Sequence, residues 1–224
     1  MPEQPRPWTV EELAQRVARD VEDRWVVNVG IGLPQTVIPH LVARDVILHS
    51  ENGIVGLGPV PPEGEEDPDI VNAGKEFATV VPGAAFMDTA TSFALIRGGR
   101  LDLALMGAYE VSAGGDLANW KIAGRKIGGI GGAADLAYGA ARLWVITALF
   151  DKQGAPKLVL RCRHPVTARH VVHRVYTDYG VFRPQKTAFV PLDLPPGMDV
   201  RALPGISVAT ASAGSPSGGS TPSA

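Results

Sequence analysis

The chain has 224 residues, 45% of them hydrophobic, with a mean hydropathy of +0.07: enough apolar mass for one full core and too much for a disordered chain. Its 21 Lys and Arg against 23 Asp and Glu leave a net charge of -2, which offers no general attraction for nucleic acid or an anionic membrane surface. No segment reaches the ~20 uninterrupted apolar residues of a membrane helix, the start "MPEQPRPWTVEELAQ" lacks a signal-peptide core, and Cys162, the single cysteine, excludes an internal disulfide, so a reducing cytoplasm is the expected location.

After a flexible N-terminus over 1–8, Thr9 and Glu12 form a capping box ahead of the apolar spacing Val10, Leu13, Ala14, Val17, Ala18, predicting an amphipathic helix to about Val21. "WVVNVGI" from Trp25 reads as a strand, followed by a short helical piece around Gln35 to Ala43 and a second strand, "DVILHS". "TVV" at 79–81, an apolar helix at about Thr89 to Ile96 stopped by "RGG", and one long strand "LDLALMGAYEV" from Leu101 continue the alternation. A Gly-rich loop, the helix-like "ADLAYGAAR" and the strand "LWVITALF" to Phe150 complete it. Nearly continuous apolar strands separated by helices predict an α/β fold: an open, mainly parallel sheet with helices on both faces. Beyond Phe150, "DKQGAP" reads as a hairpin turn, and "KLVLRC", "HVVHRVYTD" and "TAFVPL" as short strands of a β-rich ending able to extend that sheet. One domain over 9–208 then gives way, over 209–224, to "ATASAGSPSGGSTPSA", whose small and polar residues predict a disordered tail.

Three glycine-bearing segments compete as sites. "NVGIG" (Asn28 to Gly32) lacks the third glycine of a dinucleotide fingerprint and the P-loop lysine, so a tight strand-to-helix turn is the commoner explanation. "GGIGG" (Gly128 to Gly132) precedes a helix whose unpaired N–H groups suit an anion or a developing oxyanion; a flexible connector explains it equally well. In "ILHSENGIVGLGP", Glu51 directly follows a hydrophobic strand, and a strand's carboxyl end is where open α/β sheets bind ligands. In a dry pocket with oxyanion donors such a carboxylate can attack a thioester, and the glycines after it would leave room for the acyl group. On the residues alone an ordinary loop acid is the commoner case, as solvation is for the acids of "PPEGEEDPD".

"LHSENGIVG" (Leu48 to Gly56) resembles the active-site signature of the beta subunit of family I CoA-transferases, the 3-oxoacid CoA-transferase group. "VNVGIGLP", "GEEDPDIVNAGKE", "SFALIRGG", "GDLANW", "GGIGGAADLA" and "RVYTDYGVF" resemble the same subunit in the same order, over about Leu13 to Phe182. The resemblance implies the open α/β fold shared with ribose-5-phosphate isomerase and glucosamine-6-phosphate deaminase. It implies Glu51 as a nucleophile passing through an acyl-glutamyl anhydride and a glutamyl-CoA thioester, with Gly131 and Gly132 as backbone donors to the reacting oxygen. Asn28, Asn52, Lys75 and Gly129 would contact substrate or CoA, Lys75 near the CoA moiety, although turn asparagines and an exposed lysine are structurally ordinary. It implies no cofactor or metal, coenzyme A being a substrate, and an alpha subunit as partner, without which the chain would be inactive.

Substrate signals conflict. "GDLANW" is similar to 3-oxoadipate enzymes and "KIAGRKIGGIGG" to the acetoacetate–succinate type, while "ITALFDKQG" lacks the Met-Glu-His run many members carry. A transferase for another carboxylate and a non-catalytic acyl-CoA-binding subunit stand as alternatives. "RCRHPVTARHVVHR" puts Cys162, His164, His170 and His173 close together, but positions three apart in a strand face opposite sides, which disfavours a metal site.

Overall fold

The structure, a computed structural model, describes residues 5–124 and 129–209. The Ser/Gly/Pro tail from Thr210 onward and Gly128 of the glycine loop lie outside the described residues. Helix α1 (Val10–Asp20) starts as expected: the Thr9 hydroxyl accepts from the Glu12 N–H and the Glu12 carboxylate from the Thr9 N–H, satisfying two orphan donors of the first turn. Its buried stripe of Leu13, Ala14, Val17 and Ala18 faces the sheet, and each of the larger side chains contributes about 1.5–3 kcal/mol of burial. The core also takes in Trp8, within the stretch predicted to be a flexible N-terminus. Trp8 is 7% exposed, and its N–H donates to the Asp178 carbonyl at 2.7 Å.

The strands are β1 (Val26–Val29), β2 (Ile47–Ser50), β3 (Ile54–Leu57), β4 (Val80–Phe86), β5 (Leu103–Met106), β6 (Glu110–Ser112), β7 (Leu117–Ala118), β8 (Leu143–Ile146), β9 (Leu158–Val159), β10 (Val172–Thr177), β11 (Gly180–Gln185) and β12 (Ala188–Asp193). Nine of them form one open sheet in the order β12-β11-β10-β8-β5-β1-β2-β3-β4. Its centre, β10-β8-β5-β1-β2, is parallel, and both flanks are antiparallel. The β2–β3, β10–β11 and β11–β12 pairs are antiparallel because their links are too short for a crossover: Ser50 pairs with Ile54, Thr177 with Gly180 and Gln185 with Ala188; β3 and β4 pair antiparallel across the longer segment 58–79. Successive residues of the central strands face opposite cores, as strand geometry requires. Leu103, Leu105, Trp144 and Ile146 pack with α1, a 3₁₀ turn (Leu33–Val37) and α2 (Ile38–Leu41). Ala104, Met106, Leu143 and Val145 pack on the other face with α3 (Thr89–Arg97) and α4 (Ala133–Gly139).

The predicted long strand from Leu101 is in fact two. It breaks after Met106, and β6 joins a separate three-stranded sheet, β7-β6-β9. That sheet takes one strand of the β-rich ending, β9; the other three extend the main sheet.

Candidate active site

The chain places β1 and β2 on one side of β5, and β8 and β10 on the other, so its course reverses between β1 and β5. The carboxyl ends of parallel strands on either side of such a reversal leave a crevice between diverging loops. A cleft of about 600 Å³ lies there, lined by Gly30 after β1, Glu51 after β2, Gly107 after β5 and Thr147 after β8. Gly129, Gly131 and Gly132 line it from the glycine loop.

Glu51 reaches the cleft because β2 and β3 form a hairpin whose loop is Glu51-Asn52-Gly53. The Gly53 N–H closes the turn on the Ser50 carbonyl at 3.0 Å, and φ there is +120°. A Cβ at Gly53 would collide with the Met87 carbonyl oxygen, so glycine is required on both counts. At Gly56, φ +88°, a Cβ would lie 2.9 Å from Ala84 Cα. These glycines therefore serve the hairpin and its contact with β4 rather than making room for an acyl group. Partial burial of Glu51 pushes its carboxyl above the ordinary value of 4.5.

Opposite it, Gly132 opens α4 from the N-cap position, and Gly131 has φ +49°. A Cβ at Gly132 would lie 2.7 Å from Phe93 Cζ and 3.5 Å from Glu51 Cδ. The loop backbone is thereby held against α3 and close to the carboxyl group. Among the described residues the N–H groups of Gly131 and Gly132 have no hydrogen-bond partner; backbone donors in such a place suit an oxyanion.

The family profile described as Coenzyme A transferase matches residues 10–202. The chain belongs to the coenzyme A transferase family. This CoA-transferase chain is 47% identical over 172 residues to the beta subunit of 3-oxoadipate CoA-transferase from Acinetobacter baylyi, covering 76% of the chain and 79% of that relative. It is 44% identical over 190 residues to the beta subunit of succinyl-CoA:3-ketoacid coenzyme A transferase from Helicobacter pylori, covering 85% and 92%. Among solved structures, the acyl-CoA transferase YdiF of Escherichia coli O157:H7 superposes with a TM-score of 0.66 at 20% identity, over 87% of the chain. The chain spans 39% of that longer polypeptide, and the likeness speaks for the fold alone.

In the transferase chain Glu51, Gly129, Gly131 and Gly132 line one cleft, while the other three candidate residues stand apart from its lining. Asn28 is buried beneath it. Its amide donates to His49 Nδ1 at 3.1 Å, leaving the imidazole proton on Nε2, 3.1 Å from Ser92 Oγ. Burial lowers the His49 pKa to about 4, so the ring is neutral at physiological pH. Asn52 donates to the Val71 carbonyl at 2.8 Å and ties the hairpin tip to the loop that carries Lys75. Lys75, exposed and with φ +65°, lines a neighbouring groove of about 940 Å³ together with Gln35 and Phe77.

Thr147 and Lys157 are among the cleft residues that the sequence did not single out, and Asn119 entered only within "GDLANW". Nothing in "DKQGAPKLV" sets Lys157 apart from a solvated lysine beside a turn. Where many members carry Met-Glu-His, Leu149 is fully buried and Phe150 packs edge-on to Tyr179. The Cys162 and histidine cluster is dispersed: His164 accepts from the Ala123 N–H, His170 bonds the Gly114 carbonyl and His173 accepts from the Leu143 N–H. Cys162 is pushed up to about 12 by burial, with the Glu110 and Asp116 charges adding to it.

Proposed function

We propose that the chain is the beta subunit of a 3-oxoacid CoA-transferase, moving CoA from a succinyl-type acyl-CoA to a 3-oxo acid such as acetoacetate. The observation that carries this is the placement of Glu51: a partly buried carboxylate at a parallel strand's end, facing the Gly131 and Gly132 backbone in one cleft. Desolvation strips hydration from the carboxylate and makes it a better nucleophile once ionised.

A Glu51 oxygen attacks the thioester carbonyl, with the Gly131 and Gly132 N–H groups stabilising the oxyanion. The C–S bond breaks, CoA leaves as thiolate, and an acyl-glutamyl anhydride remains. The thiolate attacks Glu51 Cδ, releasing the first acid as carboxylate and forming a glutamyl-CoA thioester. The acceptor carboxylate then attacks Cδ and expels CoA thiolate, giving a second anhydride. Attack of that thiolate on the acceptor carbonyl forms the new acyl-CoA and restores Glu51. The thioester bond energy is conserved throughout, so neither ATP nor a redox cofactor is required. Lys75, exposed on the adjoining groove, is suited to a CoA phosphate. The partner is an alpha subunit, in keeping with relatives that are each named as one subunit of a transferase.

A second reading, transfer to 3-oxoadipate, is favoured by the Acinetobacter relative at 47% identity. Both use the same covalent route. The test combines the purified chain with its alpha partner and succinyl-CoA, followed by hydroxylamine, which converts a glutamyl thioester or anhydride to a hydroxamate. Peptide mass spectrometry should find the hydroxamate on Glu51. An unmodified Glu51 would leave an acyl-CoA-binding subunit without turnover, and the enzyme assignment would fall.

A further inference from the structure

Among the described residues lining the cleft, Glu51 is the only carboxylate and Lys157 the only cation. The covalent route uses Glu51 and leaves Lys157 without a task. Its backbone is fixed on both sides, the N–H donating to the Leu149 carbonyl at 2.9 Å and the carbonyl accepting from the Val111 N–H at 2.8 Å. The ammonium donates to Thr147 Oγ1 at 3.0 Å, and that hydroxyl, 3% exposed as a residue, in turn donates to the Ala108 carbonyl at 3.1 Å. One of the three ammonium protons is thus placed and two remain.

Among the described residues no carboxylate lies within ion-pair distance of Lys157. The two acids whose fields reach it are occupied: Asp151 accepts from the Gln153 and Ala155 N–H groups, and Asp178 from the Leu149 N–H. Burial holds the Lys157 pKa below the ordinary lysine value, the mark of a cation short of counter-charge. A partly buried ammonium with donors to spare, walled into an acyl cleft, is matched by an anion brought in by the substrate.

We propose that Lys157 is a specificity-determining residue that binds the second carboxylate of a dicarboxylic acyl group while Glu51 attacks the thioester end. Succinyl and 3-oxoadipyl groups carry that second carboxylate; an acetoacetyl group does not. The proposal rests on Glu51 being the nucleophile and adds the substrate class to it.

The test uses the complex with the alpha partner and compares succinyl-CoA with acetoacetyl-CoA, the donor of the reverse reaction. In Lys157→Met the ratio of kcat/KM for succinyl-CoA over acetoacetyl-CoA should fall about 100-fold, most of it through KM. Lys157→Arg should recover a large part. Thr147→Val, which removes the hydroxyl that aims the ammonium, should lower the same ratio by about tenfold and serves if the methionine variant fails to assemble. An unchanged ratio, or an equal loss with both donors, overturns the proposal. Hydroxylamine trapping keeps the two assignments apart: Glu51 modified with an unchanged donor ratio removes only the Lys157 role, whereas Glu51 unmodified by either donor removes both.

Discussion

Glu51 is the residue at which stability and chemistry oppose each other. Its folded pKa lies above the ordinary carboxylate value, so the folded chain keeps the proton at pH values where the unfolded chain has released it. Its contribution to stability is complete below about pH 4.5 and is lost as pH rises through the folded pKa. At neutral pH the ionised carboxylate is a cost. Glu51→Gln should therefore raise the melting temperature at pH 7 and leave it nearly unchanged at pH 4, while reducing transfer by at least about 10³-fold. The acid limb of the kcat/KM profile should fall above the normal glutamate range, because Glu51 must ionise to attack. A limb at the normal value would remove the desolvation account. Gly132 is the complementary residue: Gly132→Ala sets a methyl against Phe93, and kcat should drop about 10²-fold, with partial recovery in Gly132→Ala/Phe93→Leu. No recovery would mean the loop is positioned by something other than α3.

At the scale of elements, the β2–β3 hairpin converts a short sequence motif into a geometry. Gly53→Ala forces a side chain into φ +120° and against the Met87 oxygen, and should destabilise the folded chain by roughly 2–4 kcal/mol. Urea unfolding would measure it; a loss within 0.5 kcal/mol (about the effect of a surface substitution) would show that the loop relaxes freely. The hairpin was legible only in part. Alternation of apolar runs and turn residues marked β2, but the glycines read as space for a ligand. Seeing that they admit the Met87 carbonyl and Ala84 requires knowing that β4 pairs beside β3. The helix α1 was legible almost to the residue because its cap and stripe are local. The small sheet was not, since β6 pairs with β9 from Val111 to Leu158, across a separation that no periodicity records.

At the scale of the whole molecule, the α/β alternation was readable because buried parallel strands must be apolar on both faces. The cleft was readable only as a consequence, from Glu51 sitting at a strand's carboxyl end. Lys157 enters that cleft from β9's neighbourhood, and no local signal could have announced it. One buried polar cluster links these parts: Asn28 on β1, His49 on β2 and Ser92 on α3, all at most 1% exposed. The unfolded imidazole titrates near 6.5 and the folded one near 4, so the stability it supplies is complete above about pH 6.5 and is lost as pH falls toward 4. That drop corresponds to about 3 kcal/mol. Glu51 acts with the opposite sign above about pH 4.5, so the measurement belongs in the Glu51→Gln background. There, the fall in unfolding free energy between pH 6.5 and 4 should be steeper, by close to one proton, in the chain that retains His49 than in His49→Gln. Equal slopes would mean that the cluster accommodates a charged imidazole, and that β1, β2 and α3 are held together by apolar packing alone.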